Sequence, residues 1–435
     1  MTLPSPNHRT RTLWLAGTLH TFTHLYNAAL MPLYLPLLED FKLTSVGQAT
    51  LLVTVMMLAY FVPSYPMGML ADRVSRKQLL GWGLAINGLG FVALSLAPNY
   101  PMALVCAIVA GFGGSFYHPA ATAMVARLCP GNTGRALGLV GIGASVGFFV
   151  GPIYSGWRAN TLAATMGAAA WRQPVLELGV LGVLAAGLFA WLAKEEAPPV
   201  AIERKSPPFA EKLFPTPMLW LLFIAAALAF SLRDFAGSSM SSLGSLFLQR
   251  AHGFNLKDTG LALSGISLAS AISNPLFGHL SDRGRTRWLA LVLCLAATLM
   301  AAFPHLPQRC VIPTFLVYGF FFLASYPMIE AALMESVPDA VRGRVFGFFI
   351  TVGGLVGSLA HWQVGRWVQK LGDAARSPAG FYAIYAGLAA LVIISLLGLS
   401  CLRAIRRREH LDVPAALSTV ATAVPHSAFR TPHAP

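Results

Sequence analysis

At 435 residues, with 56% hydrophobic and only 11% charged side chains, the chain lacks the charged surface, roughly a quarter of all residues, of a water-soluble globular protein. Its mean hydropathy of +0.63 requires lipid as part of its solvent and excludes a soluble enzyme. The formal net charge of +14 does not mark a nucleic-acid binder, because the basic residues fall in short clusters between apolar runs rather than on one patch.

The N-terminus, with Arg9 and Arg11, leads into an apolar run from Trp14 to Leu38. That run is too long for the hydrophobic region of a signal peptide and has no small-residue cleavage pattern, so it reads as a first membrane span. At about 20 apolar residues per crossing, the sequence predicts twelve spans. They lie at 13–38, 46–71, 79–97, 101–128, 134–157 and 174–194 in a first half, and at 217–249, 258–281, 287–303, 311–336, 342–369 and 379–403 in a second. The expected fold is an all-α membrane protein of two pseudo-symmetric six-helix bundles. A tail over 1–12 precedes the first bundle, 13–194; a proline-rich hydrophilic connector, 195–216, leads to the second, 217–403. The remaining tail, 404–435, is rich in Ala, Pro, Ser and Thr beyond Arg408 and is expected to be disordered. With the N-terminus in the cytoplasm, 21 of the 31 Lys and Arg residues fall on the cytoplasmic side and 9 opposite, with Arg233 inside a span. This bias places both termini and the connector in the cytoplasm.

In span 1, His20, His24 and Asn27 stand at i, i+4 and i+7, on one helical face. Ionisable groups are costly at the bilayer centre, so that face is expected to turn toward the protein interior. Span 2 ends in Gly68-Met-Leu-Ala-Asp72-Arg73-Val-Ser-Arg76-Lys77. An Asp at a helix end can pair with Arg or with a helix N-terminus across the gap between halves and so latch one conformation. The alternative is that Arg73, Arg76 and Lys77 only anchor topology, but topology alone would not call for the acid. Span 4 carries Tyr117 and His118 before Pro119, and span 5 carries Gly138, Gly147, Gly151-Pro152 and Ser155-Gly156. Small residues let helices approach closely and Gly-Pro permits a bend, although ordinary packing also uses such residues.

In the second half, Arg233 and Asp234 lie in the middle of span 7, followed by Gly237, Ser238, Ser239, Ser241 and Ser242. This polar run predicts a discontinuous helix lining a cavity. Gly278-His-Leu-Ser-Asp282-Arg283-Gly-Arg285 then repeats the first-half run at an offset of 210, with a one-residue gap. Pro119 and Pro130 are eleven apart, as are Pro327 and Pro338, and Gly134-Arg135 corresponds to Gly343-Arg344. The halves are duplicated units. Span 10 holds Tyr326 and Glu330, with Glu335 nearer the next loop; in span 11, Thr351, Gly354, Ser358 and His361 share a face. Trp82, Trp157, Trp171 and Trp288 fall near span ends, as interfacial belt residues do. The five cysteines are scattered, with no C-x-x-C and no histidine at ligand spacing, so neither a disulfide, a metal site nor a cofactor is expected.

On these residues the chain resembles the major facilitator superfamily over nearly its whole length. The run from Gly68 to Lys77 is similar to that superfamily's loop 2–3 signature, with Ser75 where a second Gly is usual. The span-5 pattern is similar to the antiporter motif of its exporters, with Ser155 replacing a Gly. His24-Leu-Tyr-Asn27 and Tyr117-His118-Pro119 are similar to elements of the fosmidomycin-resistance branch, in which an acidic residue follows each; here those positions are Ala28 and Ala120. The Arg of the common span-4 exporter motif would fall near Ala107 and is also absent. Two carboxylates suited to proton exchange are therefore missing from the first half. Histidine can take that role, because its ionisation falls within the working range of pH.

The resemblance implies a secondary active transporter of the bacterial inner membrane, working by alternating access. Its expected activity is proton-coupled export of a small drug-like or metabolite anion, such as a phosphonate antibiotic. Expected substrate contacts are His20, His24, Asn27, Tyr117, His118, Arg233, Tyr326 and His361, and the proton-coupling candidates are Asp234, Glu330, His24 and His118. Gating is expected from Gly68, Asp72, Arg73, Arg76, Lys77, Asp282, Arg283, Arg135 and Arg344. The span-5 helix is expected to work through Gly138, Gly147, Gly151, Pro152 and Gly156. The bland alternative is a structural network in which Arg233 pairs with Asp234 or Glu330 and the histidines bond to backbone. Two further alternatives are an uncoupled facilitator or importer and a non-transporting membrane sensor. The sequence offers no Walker loop, H-E-x-x-H or Gly-x-Ser-x-Gly for catalysis. Expected partners are a small-molecule substrate, the bilayer and protons, with the chain acting as a monomer.

Overall fold

A computed structural model describes residues 6–71, 73–129, 133–193, 213–337 and 342–412. The described residues form helices joined by short turns, with no strand among them. A backbone crossing lipid must satisfy its polar groups within its own segment, and helices do so.

Span 1 consists of α1 (Pro6–Ala29) and α2 (Tyr34–Asp40), separated by a 3-10 turn over Met31–Leu33. Span 2 consists of α3 (Val46–Phe61) and α4 (Ser64–Ala71), span 3 of α5 (Arg76–Ser95), and span 4 of α6 (Tyr100–Gly114) and α7 (Tyr117–Leu128). The breaks in spans 2 and 4 each have a proline four residues beyond them: Pro66 after Val62, and Pro119 after Ser115. A proline ring clashes with the carbonyl of residue i−4, which opens the helix there. The half closes with α8 (Thr133–Met166) and α9 (Arg172–Leu192). The second half comprises α10 (Pro217–Ala251), α11 (Leu256–Leu268) with α12 (Ser270–Ser281), α13 (Arg285–Ala302), α14 (Val311–Met334), α15 (Arg342–Leu371), and α16 (Tyr382–Ile394) with α17 (Leu397–Asp412). Among the described residues, ten helical runs are long and apolar enough to cross a membrane. One of them, Arg135–Leu192, contains both α8 and α9, and α1 falls short because His, Arg and Thr interrupt its apolar face. Twelve spans result, and the interruption of span 2 recurs at Ala269 in span 8, as duplication requires.

Three expectations need correction. Helix α10 is continuous through its polar run. Two of its serines find partners without unwinding: Ser242 meets two side chains at 2.6 and 2.8 Å, and Ser245 donates to the Met31 carbonyl at 2.6 Å, while Ser239 Oγ is buried with no hydrogen-bond partner among the described residues. The polar run is thus a contact face between helices. Helix also extends past the predicted bundle limits, from Pro6 at one end and to Asp412 at the other, so 404–412 is ordered helix. Finally, Trp171 is fully buried and its indole N–H donates to Asp40 at 2.9 Å. Arg172 joins the same carboxylate at 2.8 Å, so this Trp-Arg pair ties α9 to α2, whereas Trp82 and Trp157 stay exposed. The connector 195–212, Asp72 and the tail beyond 412 lie outside the described residues.

The halves pack on each other through α3 against α15 and α8 against α11. Gly156 and Gly260 are so close that a Cβ on Gly156 would come within 3.3 Å of the Gly260 Cα. Hydrogen bonds run between the halves from the Val46 N–H to Gln369 Oε1, from Gln249 Nε2 to the Pro32 carbonyl and from the Trp362 N–H to Thr54 Oγ1, and Ser145 meets Ser270 nearer the middle. Most of these contacts sit toward the end that carries loops 1–2, 7–8 and 11–12. The halves therefore converge away from the signature end, where loops 2–3 and 8–9 lie.

Candidate functional site

The face of α1 predicted from spacing meets the restart of span 4. His20 donates through Nδ1 to the Val140 carbonyl at 2.9 Å, since a carbonyl can only accept. Its Nε2 is then an acceptor, and the His24 Nε2–H donates to it at 3.0 Å. Tyr117 stacks on His20 with ring centroids 4.6 Å apart, while its hydroxyl donates to the Ala16 carbonyl at 2.8 Å. The His118 ring lies 5.2 Å from His20, 5.4 Å from His24 and 6.0 Å from Tyr60, and His118 is exposed. This group faces the second half: Phe61, next to Tyr60, lies against Gly354, and His24 packs on Phe148, whose neighbour Phe149 accepts a hydrogen bond from Ser264 at 2.6 Å. Asn27 is buried on the same helix. Tyr60, Phe148 and the Val140 carbonyl were not foreseen; only the tertiary fold brings them to the histidines.

Span 5 sets the depth of this group. A Cβ on Gly147 would meet the Thr21 carbonyl and the His24 Cβ, and one on Gly151 would come within 2.7 Å of the Leu25 carbonyl. Gly143, not singled out by the sequence, meets Gly17 and His20 in the same way, whereas a Cβ on Gly138 would meet nothing within 4 Å among the described residues. Ser155 fastens the two helices by donating to the Ala29 carbonyl at 2.7 Å. The small-residue stripe thus brings α8 onto α1, and Gly156 continues it onto α11 of the second half.

The second half holds a different cluster. Arg233 is 2% exposed; it donates to Ser325 Oγ at 3.0 Å, pairs with Asp234, and sits 3.9 Å from the centroid of Tyr326. Its guanidinium is turned into the bundle in this conformation. Asp234 in turn packs against Gly353 of α15. Tyr326 is exposed. Glu330, one turn further along α14, lies near enough to Arg233 to interact through charge, yet makes no hydrogen bond or ion pair with the described residues.

His361, also expected at the substrate, is buried in a chain that crosses between halves. The Tyr34 hydroxyl lies 2.8 Å from Ser242 Oγ, which lies 2.6 Å from His361 Nδ1. Tyr34→Phe removes the inter-half link without changing the ring. A hydrogen bond contributes about 1 kcal/mol net, so the ratio of joined to separated halves at this end is expected to fall about fivefold. Pulsed electron paramagnetic distances between labels at Lys42→Cys and Lys257→Cys would read it, and unchanged populations would show that the chain does not hold the halves.

At the signature end, Asp282 pairs with Arg285 at 3.3 Å, and Arg285 pairs with Glu335 at 2.6 Å. Arg406 of α17 approaches Glu335 at 3.7 Å, so Glu335, at the end of α14, joins Arg285 of α13 to α17, and Arg285 rather than Arg283 makes the link to Asp282. Arg283, Arg73 and Arg135 are exposed, while Lys77 and Arg344 are half-buried. Arg76 reaches the Ala123 carbonyl at 3.4 Å and Gly68 faces Pro119 of α7. Asp72 lies outside the described residues.

A profile of the Major Facilitator Superfamily matches residues 14–361. The multidrug resistance protein MdtG of Yersinia enterocolitica is 26% identical over 341 residues, covering 76% of this chain and 77% of that protein. The fosmidomycin resistance protein of Escherichia coli is 25% identical over 350 residues, covering 77% and 82%. Among solved structures, a bacterial homologue of the human lysosomal transporter Spinster, inward-facing and unoccupied, superposes with a TM-score of 0.73 at 17% identity, covering 93% of this chain and 98% of that one.

Proposed function

Because the chain belongs to the Major Facilitator Superfamily, we propose that it is an alternating-access secondary transporter of the bacterial inner membrane, exporting a small drug-like or metabolite anion in exchange for protons. The observation that carries this reading is the placement of polar groups on two halves that converge at one end: His24 and His118 on the first, Tyr326 and Glu330 on the second. Resistance proteins among the relatives support the export direction. The charge bias puts both termini and the signature end in the cytoplasm, so the conformation described is open on that side. Arg73, Asp282 and their neighbours then engage when the opposite end opens. Asp234 is committed to Arg233, which leaves Glu330, with His24 and His118, for proton coupling. The chain works as a monomer, its two bundles rocking across the 195–216 connector.

A screen of purified protein for thermal stabilisation by antibiotics, phosphonates and organic acids identifies substrate, since a ligand at 100 times its Kd stabilises by about 2.7 kcal/mol. Flux of that compound in proteoliposomes is expected to require a pH gradient. Gradient-independent flux would overturn the antiport and leave the uncoupled facilitator, the reading that Ala28 and Ala120 favour.

A further inference from the structure

His20, His24 and His118 each offer a ring nitrogen, and these nitrogens all lie within 4.8 Å of one another. We propose that they form a site for one divalent transition-metal ion of the zinc, cobalt or nickel type, on the first-half wall of the space between the bundles.

Three observations carry it. The first is spacing: the facing Nε2 atoms of His20 and His24 are 3.0 Å apart, close to the edge of about 3.3 Å that a tetrahedron with bonds of about 2.0–2.1 Å to zinc requires. The second is orientation. His20 gives its Nδ1–H to the Val140 carbonyl and is stacked on Tyr117, so its Nε2 lone pair is aimed at its two partners before any ion arrives. A metal-bound histidine usually has its second ring nitrogen held by such a carbonyl. The third is an unsatisfied hydroxyl: beside His118 the Tyr60 hydroxyl is buried with no hydrogen-bond partner among the described residues, which leaves it for a water or anion held in the fourth position of the ion.

Imidazole donors with no carboxylate or thiolate favour zinc, cobalt, nickel or copper over magnesium and calcium. Three protein ligands leave a fourth position, and since His118 is exposed that position opens to the space between the halves, where water or an anionic group can occupy it. The site shares His24 and His118 with the export reading but is tested apart from it, because it is read by binding and not by transport; a bound ion leaves the coupling to Glu330. It also departs from the absence of a metal site expected from the cysteines: His118 lies far from His24 in sequence, and the ligand set closes only in the fold.

The test is a titration of full-length protein in detergent, freed of any polyhistidine tag, with Co2+, followed by visible absorption. One Co2+ per chain with the intense absorption of a four-coordinate centre is expected, displaced by Zn2+. His118→Ala, at an exposed position least able to disturb folding, should weaken binding by more than about tenfold, as should His24→Ala, whereas His279→Ala and His305→Ala should leave it intact. No saturable binding, an octahedral spectrum, or equal affinity in His118→Ala would overturn the proposal.

Discussion

Arg233→Ala is expected to destabilise the protein by about 3–5 kcal/mol, because it leaves the Asp234 carboxylate without its counter-charge inside the bundle. The guanidinium is buried beneath Tyr326 and bonded to Ser325 on α14, so it joins spans 7 and 10 as well as pairing with its neighbour. Truncation removes all three interactions and opens a void where the side chain lay. Arg233→Lys should recover little, since a single ammonium cannot reach Ser325 and Asp234 together while stacking on the tyrosine ring. Arg233→Ala combined with Asp234→Ala should recover part of the loss, since removing both partners is milder than stranding one. Thermal unfolding in detergent reads these differences. A single variant that unfolds like wild type yet no longer binds substrate would return Arg233 to the substrate site.

This expectation also shows what the sequence could and could not reveal. Span length and number follow from apolar runs, and the duplication follows from prolines and glycines whose spacing survives divergence. The histidine face of α1 was legible because i and i+4 positions must coincide on a helix. The direction of a side chain at the middle of a span was not. Arg233 and Asp234 are adjacent, and nothing in their spacing says that the arginine turns to Ser325 and Tyr326 while Glu330 is left without a bonded partner among the described residues. The serine run of span 7 read as unwound helix, since isolated serines in lipid need partners. Ser242 proved to meet Tyr34 and His361, and Ser245 just beyond it the Met31 carbonyl, all distant in sequence. Among the glycines, Gly143 and Gly138 look alike in the sequence, but only the first lies against another helix.

The same contrast between committed and uncommitted charge sets the other large expectation: Glu330→Gln should abolish gradient-driven transport while preserving substrate exchange. Asp234 is held by Arg233, so moving a proton on and off it would break an ion pair that helps hold spans 7 and 10 together. Glu330 is half-buried one turn beyond Tyr326 and bound to none of the described residues, so its charge can change without dismantling the bundle. An unpaired charge at membrane depth costs several kcal/mol, and that cost differs between a conformation with water between the halves and one closed over it. A group whose charge is penalised differently in two conformations couples its proton to the exchange between them. Glutamine has the shape of the protonated acid and cannot change charge, so it leaves the site occupied but uncoupled. Counterflow of labelled substrate should stay within about twofold of wild type while accumulation driven by a pH gradient falls to background. Full gradient-driven accumulation in Glu330→Gln would move coupling to His24 and His118, where His118→Gln is the next variant to lose it.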